Sequence, residues 1–354
     1  MKETTITSFD NSTFESGTTT LPFNNTVQEL STGNRFEYGA IFIERAFIEW
    51  NRFEFAKVRA GRLLTPFGIW SHDHGAPALT SVRLPALVAP STENESIPLQ
   101  VTGFELLGTV NLPAEFIVDY SVYVANTFSE IEPVKDKYTS KNVGFYLNFT
   151  VPTVADFIDI EFGASMFFGK REKLAKTDAV YDGPPPAVSK DNYYYFKQND
   201  IVTSIHLKLK FNNLPLDGTL VLQSEYMLTQ IEEDKNANLI DQNFGYMMTS
   251  GFSFLESMAN RSGRDYSVQY FYLQVEYQIF GWITPYYRFN YIDSENENFY
   301  STYKTMVQHV SGVNIKPYAP VTIKVEHVFM NFIDGTKKPE SDFHMFQTSI
   351  SLAF

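Results

Sequence analysis

The chain has 354 residues, a formal net charge of -13 and no cysteine, with 32 Phe and 21 Tyr supplying most of a 16% aromatic content. The acidic balance excludes a general nucleic-acid binder, which needs a basic surface, and without cysteine there are no disulfides or thiolate metal ligands. Mean hydropathy is only -0.20, and no run approaches the roughly 18 apolar residues of a membrane helix.

Taken in order, residues 1 to 20 (MKETTITSFDNSTFESGTTT) hold no apolar stretch of the kind a secretion signal carries. An exported protein would therefore appear here as a mature chain, its signal peptide removed and a Met restored. Thr4 to Phe14 predicts a weak first strand, and the remainder of 1–38 a polar loop. From Tyr38 the pattern sharpens. Ala46, Ile48 and Trp50 share one parity, Arg45 and Glu49 the other, and after a tight connection at Asn51 to Glu54, Val58 and Ala60 oppose Lys57 and Arg59. A period of two is the mark of a strand with one apolar face. The strand ends near Thr65-Pro66-Phe67-Gly68, because Pro cannot donate to a ladder, and residues 69–98 read as a long loop.

The stretch 101–126 repeats the rule as a hairpin. Phe104, Leu106, Val110 and Leu112 oppose Gly103, Glu105, Thr109 and Asn111; after Leu112-Pro113-Ala114, Phe116, Val118, Tyr120, Val122 and Val124 oppose Asp119 and Ser121. Each arm is about 10 residues, enough for a tilted strand to cross a bilayer. Beyond a loop at 126–141, Val143 to Val151 alternates with polar residues. Ile158 to Phe168 then opposes Asp159, Glu161, Gly163 and Ser165. Residues 170–198, with Pro184-Pro185-Pro186 and Asp191-Asn192-Tyr193-Tyr194-Tyr195, predict a second long loop. Ile205, Leu207 and Leu209 next oppose Ser204, His206, Lys208 and Lys210, and Leu220, Leu222, Tyr226 and Leu228 oppose Gln223 and Glu225. Residues 231–265 read as a loop that could hold an extra hairpin in 244–255. Regular alternation returns with Phe271 to Ile279 against Tyr270, Tyr272, Gln274 and Glu276, then Tyr287, Phe289 and Tyr291 against Arg288. Strands at 307–316 and from Val321, the latter carrying Lys324 and Glu326, precede a final strand with Phe346, Ile350, Leu352 and Phe354 on one face.

Connections alternate strictly, short near 51, 113, 153, 214, 281 and 318, long near 80, 134, 184, 248, 298 and 337. Short turns at one end and long loops at the other is the asymmetry of an outer-membrane barrel, with periplasmic turns and extracellular loops. The expected fold is one all-β domain over 1–354, a transmembrane antiparallel β-barrel of about 14 strands, or 16 if 244–255 pairs, since such barrels have even strand numbers. The apolar face should point outward, because an interior of about eight strands is already just filled by side chains and a wider one is not. A soluble β-sandwich assembly, with its apolar faces buried together, is the competing reading.

Three stretches carry a family resemblance: RAGRLLTPFGIW at 59–70, SGVNIKPYAPVTIKVEH at 311–327, and the ending FQTSISLAF. Together they resemble the outer-membrane porin superfamily that includes phosphate-selective porin-like and amide-uptake porin-like proteins. The resemblance implies a bacterial outer-membrane location, contact with lipid and lipopolysaccharide, and passage of small solutes. It also implies a homotrimer by analogy, and an insertion machinery that reads Ile350, Leu352 and Phe354. Phosphate-selective members imply a lumen dominated by Arg and Lys, whereas this one mixes signs.

By parity the water-facing, pore-lining charges are Arg45, Glu49, Lys57, Arg59, Glu105, Asp119, Asp159, Glu161, Lys208, Lys210, Glu225, Glu276, Arg288, Lys324 and Glu326. They could set a transverse field that selects solutes, or merely pair across neighbouring strands. One long loop, 69–98 or 170–198, should fold inward to narrow the lumen. His72, Asp73 and His74 are constriction candidates in the first; two His alone do not complete a metal site, so no metal and no cofactor is expected. Ser204 and His206 share a strand face but lack a third partner, so no enzyme is expected. The function expected is a water-filled diffusion channel for small polar or charged solutes. The alternative is a non-conducting barrel, an adhesin or scaffold whose loops plug the lumen and bind a partner.

Overall fold

The computed structural model describes residues 45–69, 80–82, 85, 97, 100–126, 128–129, 141–154, 157–177, 192–233, 265–294, 305–318, 321–333 and 342–352. Among these the chain is all β apart from one short 3-10 turn, Pro113–Glu115. The strands are β1 (Ala46–Phe53), β2 (Ala56–Leu64), β3 (Gln100–Asn111), β4 (Ile117–Asn126), β5 (Phe128–Ser129), β6 (Lys141–Val154), β7 (Ile158–Thr177), β8 (Asn192–Leu214), β9 (Gly218–Glu233), β10 (Tyr266–Gln278), β11 (Ile283–Ser294), β12 (Thr305–Tyr318), β13 (Val321–Ile333) and β14 (Asp342–Leu352). All but β5 lie in one antiparallel sheet in chain order; β5 pairs in parallel with Arg171 and Glu172 of β7. No helix among the described residues is long and apolar enough to cross a membrane, which leaves crossing by strands open.

The expected strands from 46 onward are present, with their short and long connections in the expected order. The expected first strand in 4–14 and the hairpin in 244–255 lie outside the described residues. The loop expected at 170–198 is corrected: β7 and β8 stay paired out to Thr177 and Asn192, so Asn192 to Tyr195 are strand rather than loop. Their sequences mix charged and aromatic residues without alternation, and hydrophobic periodicity does not register such a strand.

Each short turn is built for its place. Phe280 and Gly281, both at positive φ (50° and 75°), form the centre of the β10–β11 turn, the left-handed pair that matches hairpin twist. Register shifts occur between Trp50 and Phe53, Val151 and Val154, Phe211 and Leu214, and Ile315 and Tyr318. All four sit at the short-turn end, where bulges let a strand bend and end its pairing.

Burial is inverted relative to a soluble protein. Phe104 is 68% exposed while the next residue, Glu105, is 3% exposed, and on β8 Ile205 is 62% exposed beside a buried His206. Leu106, Val124, Phe145, Leu147, Phe162, Leu207, Leu273, Val325 and Ile350 are likewise exposed. The polar face is inside because the sheet curls around the chain that leaves β2. Gly68 of that segment donates from its backbone N to Ser165 Oγ of β7 at 2.9 Å, and Val82 N to Glu326 Oε2 of β13 at 2.9 Å. A further set of exposed aromatics, Trp50, Phe55, Phe116, Phe157, Phe280, Trp282 and Tyr318, rings the short-turn end.

Candidate functional site in the interior of the sheet

The interior has three levels, read along each strand from its short-turn end. The first is a half-exposed charged mouth. Directly opposed pairs of β7 and β8 place Lys210 Nζ 3.5 Å from Asp159 Oδ2, and Lys208 Nζ 3.5 Å from Glu161 Oε2. Thr109 Oγ1 donates to Asp119 Oδ1 at 2.6 Å across β3 and β4. On the first strands Arg59 binds Glu49 on β1 through Nε and reaches Glu105 on β3, with Nη1 at 3.5 Å from Oε2; Ser121 Oγ completes Glu105 at 2.8 Å. Cross-strand pairing thus ties up eight of the expected pore-lining charges, seven in ion pairs and Asp119 through Thr109, with Glu105 alone among them buried, because direct neighbours on one face of an antiparallel sheet are within side-chain reach.

The second level is a collar that grips the described residues of the insert, 65–69 and 80–82. Glu225 Oε1 accepts from Ser204 Oγ at 2.6 Å, and its Oε2 lies 3.4 Å from Ile69 N. Thr80 Oγ1 donates to Glu276 Oε2 at 2.7 Å. Ser81 is held twice, its Oγ by Arg288 Nη1 at 2.9 Å and its carbonyl by Lys324 Nζ at 3.2 Å. Asn314 Nδ2 bonds the Thr80 carbonyl at 3.3 Å, and Tyr286 Oη donates to Glu326 Oε2 at 2.7 Å. Backbone groups of an insert need partners once water is excluded, and inward side chains of β7, β9, β12 and β13 supply them, while β10 and β11 bond the Thr80 and Ser81 hydroxyls. Gly68 fits this grip: its φ is +61°, and a Cβ there would stand 2.0 Å from Glu225 Oε1.

The third level, toward the long loops, is richer in apolar side chains, with Asn142, Asp200, Thr229 and Ser294 buried among them. Tyr123, Phe167, Val202, Met227, Val268, Tyr270, Ile292, Met306, Val310, Val328, Met330 and Phe332 all continue the inward parity of their strands and are buried. Leu63, at the end of β2, and Phe67 and Ile97 from the chain between β2 and β3 pack with them. On β13 the switch is visible in one strand: inward Thr322, Lys324 and Glu326 are followed by Val328, Met330 and Phe332.

Two sequence expectations are corrected here. Glu105, Glu225, Arg288, Lys324 and Glu326 face inward but not water; all are buried, the last four of them because the insert lies against them and consumes their hydrogen bonds. The interior is also not polar throughout, since an apolar cluster occupies part of its long-loop half, beside buried polar residues such as Asp200 and Thr229. Arg45 stands ahead of β1 and is exposed, while Lys57 and Glu276 are half-buried inward positions. Of the two candidate loops, residues 65–69 and 80–82 after β2 touch the inner face, and His72, Asp73 and His74 lie outside the described residues. Ile350 is exposed on the outer face; Leu352 ends β14 and Phe354 lies outside the described residues. Ser204 and His206 are not joined: Ser204 serves Glu225, and His206 Nε2 lies 3.1 Å from Asn148 Oδ1.

Sequence reasoning missed the neutral members of the collar, Ser165, Gln274, Asn290, Gln308 and Asn314. Their parity was legible; only the preference for charged residues hid them. It also missed the apolar level, whose signal was the loss of alternation in runs such as Val328-Phe329-Met330.

No family model and no curated protein matches the sequence. Among solved structures the chain is similar to an outer-membrane expressed OmpT of Vibrio cholerae, at 9% identity and TM-score 0.47 over 87% of this chain and 78% of that one. It is also similar to a loop-deletion mutant of that protein, at 10% identity and TM-score 0.48 over 84% of this chain and 76% of that one. An anion-selective porin from Comamonas acidovorans aligns at 11% identity and TM-score 0.41 over 84% of this chain and 73% of that one.

Proposed function

We propose that this chain is a bacterial outer-membrane barrel whose interior passes small polar or charged solutes, narrowed by residues 65–69 and 80–82 of the connection after β2. The observation that carries the reading is the inverted sheet, with Phe104 and its like exposed and Glu105 and its like enclosed. Only a surrounding apolar medium makes that arrangement favourable, since burying apolar area is the main driving term of folding. The aromatic ring at the short-turn end is the girdle expected where strands leave hydrocarbon for the interface. Lipid and lipopolysaccharide would cover the outer face. The insertion machinery would read Ile350, Leu352 and Phe354, and a homotrimer is carried by analogy. Within the resembled superfamily a phosphate-selective role fits poorly, because Glu105, Glu225, Glu276 and Glu326 stand beside Arg288 and Lys324 inside.

Planar-bilayer recording tests the reading. The refolded chain should give stable conductance steps, with a reversal potential in a salt gradient that reports its ion preference. Total absence of steps would favour the second reading, a plugged adhesin or scaffold, which the closed apolar cluster at the long-loop end supports. Neither reading assigns catalysis to Ser204 and His206, and a hydrolase assay of the purified protein checks that.

A further inference from the structure

The apolar cluster, already packed by Leu63, Phe67 and Ile97, is a feature that a simple aqueous pore does not explain. Wide barrels keep polar interiors, and an apolar constriction resists ions and water by dewetting. Here Met227, Tyr270, Ile292 and Met306 form one register row across β9 to β12, and Val310 pairs with Val328 two rows on, past a row that holds Asn290 and Gln308. Arg288 pairs directly with Val310, so a cation borders apolar surface. Lys324 lies on the same inward face. Both cations are engaged by a single insert residue, Ser81, through its hydroxyl and its carbonyl. The insert also contributes a phenyl ring, Phe67, to the cluster.

We propose that the long-loop half of the interior binds small monocarboxylates that carry an apolar ring. The ring lodges in the cluster as Phe67 does, and the carboxylate meets Arg288 and Lys324 in place of the Ser81 oxygens. A carboxylate makes shorter, stronger charge-assisted bonds to a guanidinium than a neutral serine oxygen does, so the exchange favours the solute and loosens the insert. As a route across the membrane this rests on the pore reading; as a binding site it does not.

The test compares cyclohexanecarboxylate with glucuronate, two six-membered-ring monoanions that differ in their hydroxyls. Binding is followed by calorimetry on the full chain folded in detergent, and flux by uptake into vesicles bearing the protein, with empty vesicles as control. The expected result is saturable binding of cyclohexanecarboxylate, weak or absent for glucuronate, and faster entry of the former. Arg288→Gln should weaken that binding about tenfold, the worth of one hydrogen bond to a charged group. Val310→Glu, which sets a carboxylate against Arg288, should abolish it. If Val310→Glu does not fold, the near-isosteric Val310→Thr should still lower affinity several-fold. Binding without flux or conductance would leave the site standing and remove the pore. Conductance with equal entry of both carboxylates and no saturable binding would overturn the site and keep the pore. Absence of both binding and conductance would overturn both.

Discussion

Arg288 Nη1 lies 2.9 Å from Ser81 Oγ, a hydrogen bond that joins the wall of the sheet to its insert across 207 positions of sequence. With the Lys324 bond to the Ser81 carbonyl, it makes the inward cations structural clamps in this conformation rather than free wall charges. Releasing Ile69, Thr80, Ser81 and Val82 from the wall breaks several hydrogen bonds at once.

Removing a clamp should therefore loosen the insert. In Arg288→Ala the Ser81 hydroxyl and the Gln274 amide oxygen, 3.4 Å from Arg288 Nη1, lose their partner. A cost of about 1 to 3 kcal/mol to insert docking follows. Limited proteolysis of the folded protein should cut sooner between β2 and β3 while the strands survive. Wild-type cleavage kinetics in this variant would refute the clamp.

Gly68 and Gly281 make a matched pair. Both have positive φ, but a Cβ at Gly68 collides with Glu225, whereas at Gly281 nothing lies within 4 Å. Gly281→Ala should cost only the left-handed strain, about 1 to 2 kcal/mol. Gly68→Ala should add displacement of the insert, read as a larger fall in unfolding midpoint and a changed single-channel conductance. Equal effects on midpoint and no effect on conductance would argue that the grip on Glu225 is unimportant.

The outer face can be probed at Phe104. An arginine there should cost up to about 2 to 4 kcal/mol of folding into bilayers, the penalty for a lipid-facing cation near the midplane. Urea titration of the protein folded into vesicles measures it. If Phe104→Arg folds as well as the parent chain, that face does not meet lipid.

The ion pairs of β7 and β8 separate stability from selectivity. Lys208 and Lys210 stand a third to nearly half exposed, so each pair is worth no more than about 1 kcal/mol. The double variant Lys208→Gln, Lys210→Gln should barely shift unfolding but move the reversal potential in a KCl gradient toward cation preference. An unchanged potential would show that the charged mouth does not sample the permeating ions.

The sequence by itself determined the strands, their faces and the order of short and long connections. Those depend on a period of two and on turn residues such as Pro113 and Gly281, and every one of these signals is local. It placed Arg59, Lys208 and Glu326 on the inward face for the same reason. Only the tertiary structure decided what meets them there. Ser81 reaches Arg288, and Gly68 reaches Glu225, because the sheet curls, and curling is a property of all the strands together. Nor could alternation foretell that Val328, Met330 and Phe332 line the inside. When both faces of a strand end are apolar the pattern is silent about which one is enclosed, and the answer comes from what packs against it, Leu63, Phe67 and Ile97.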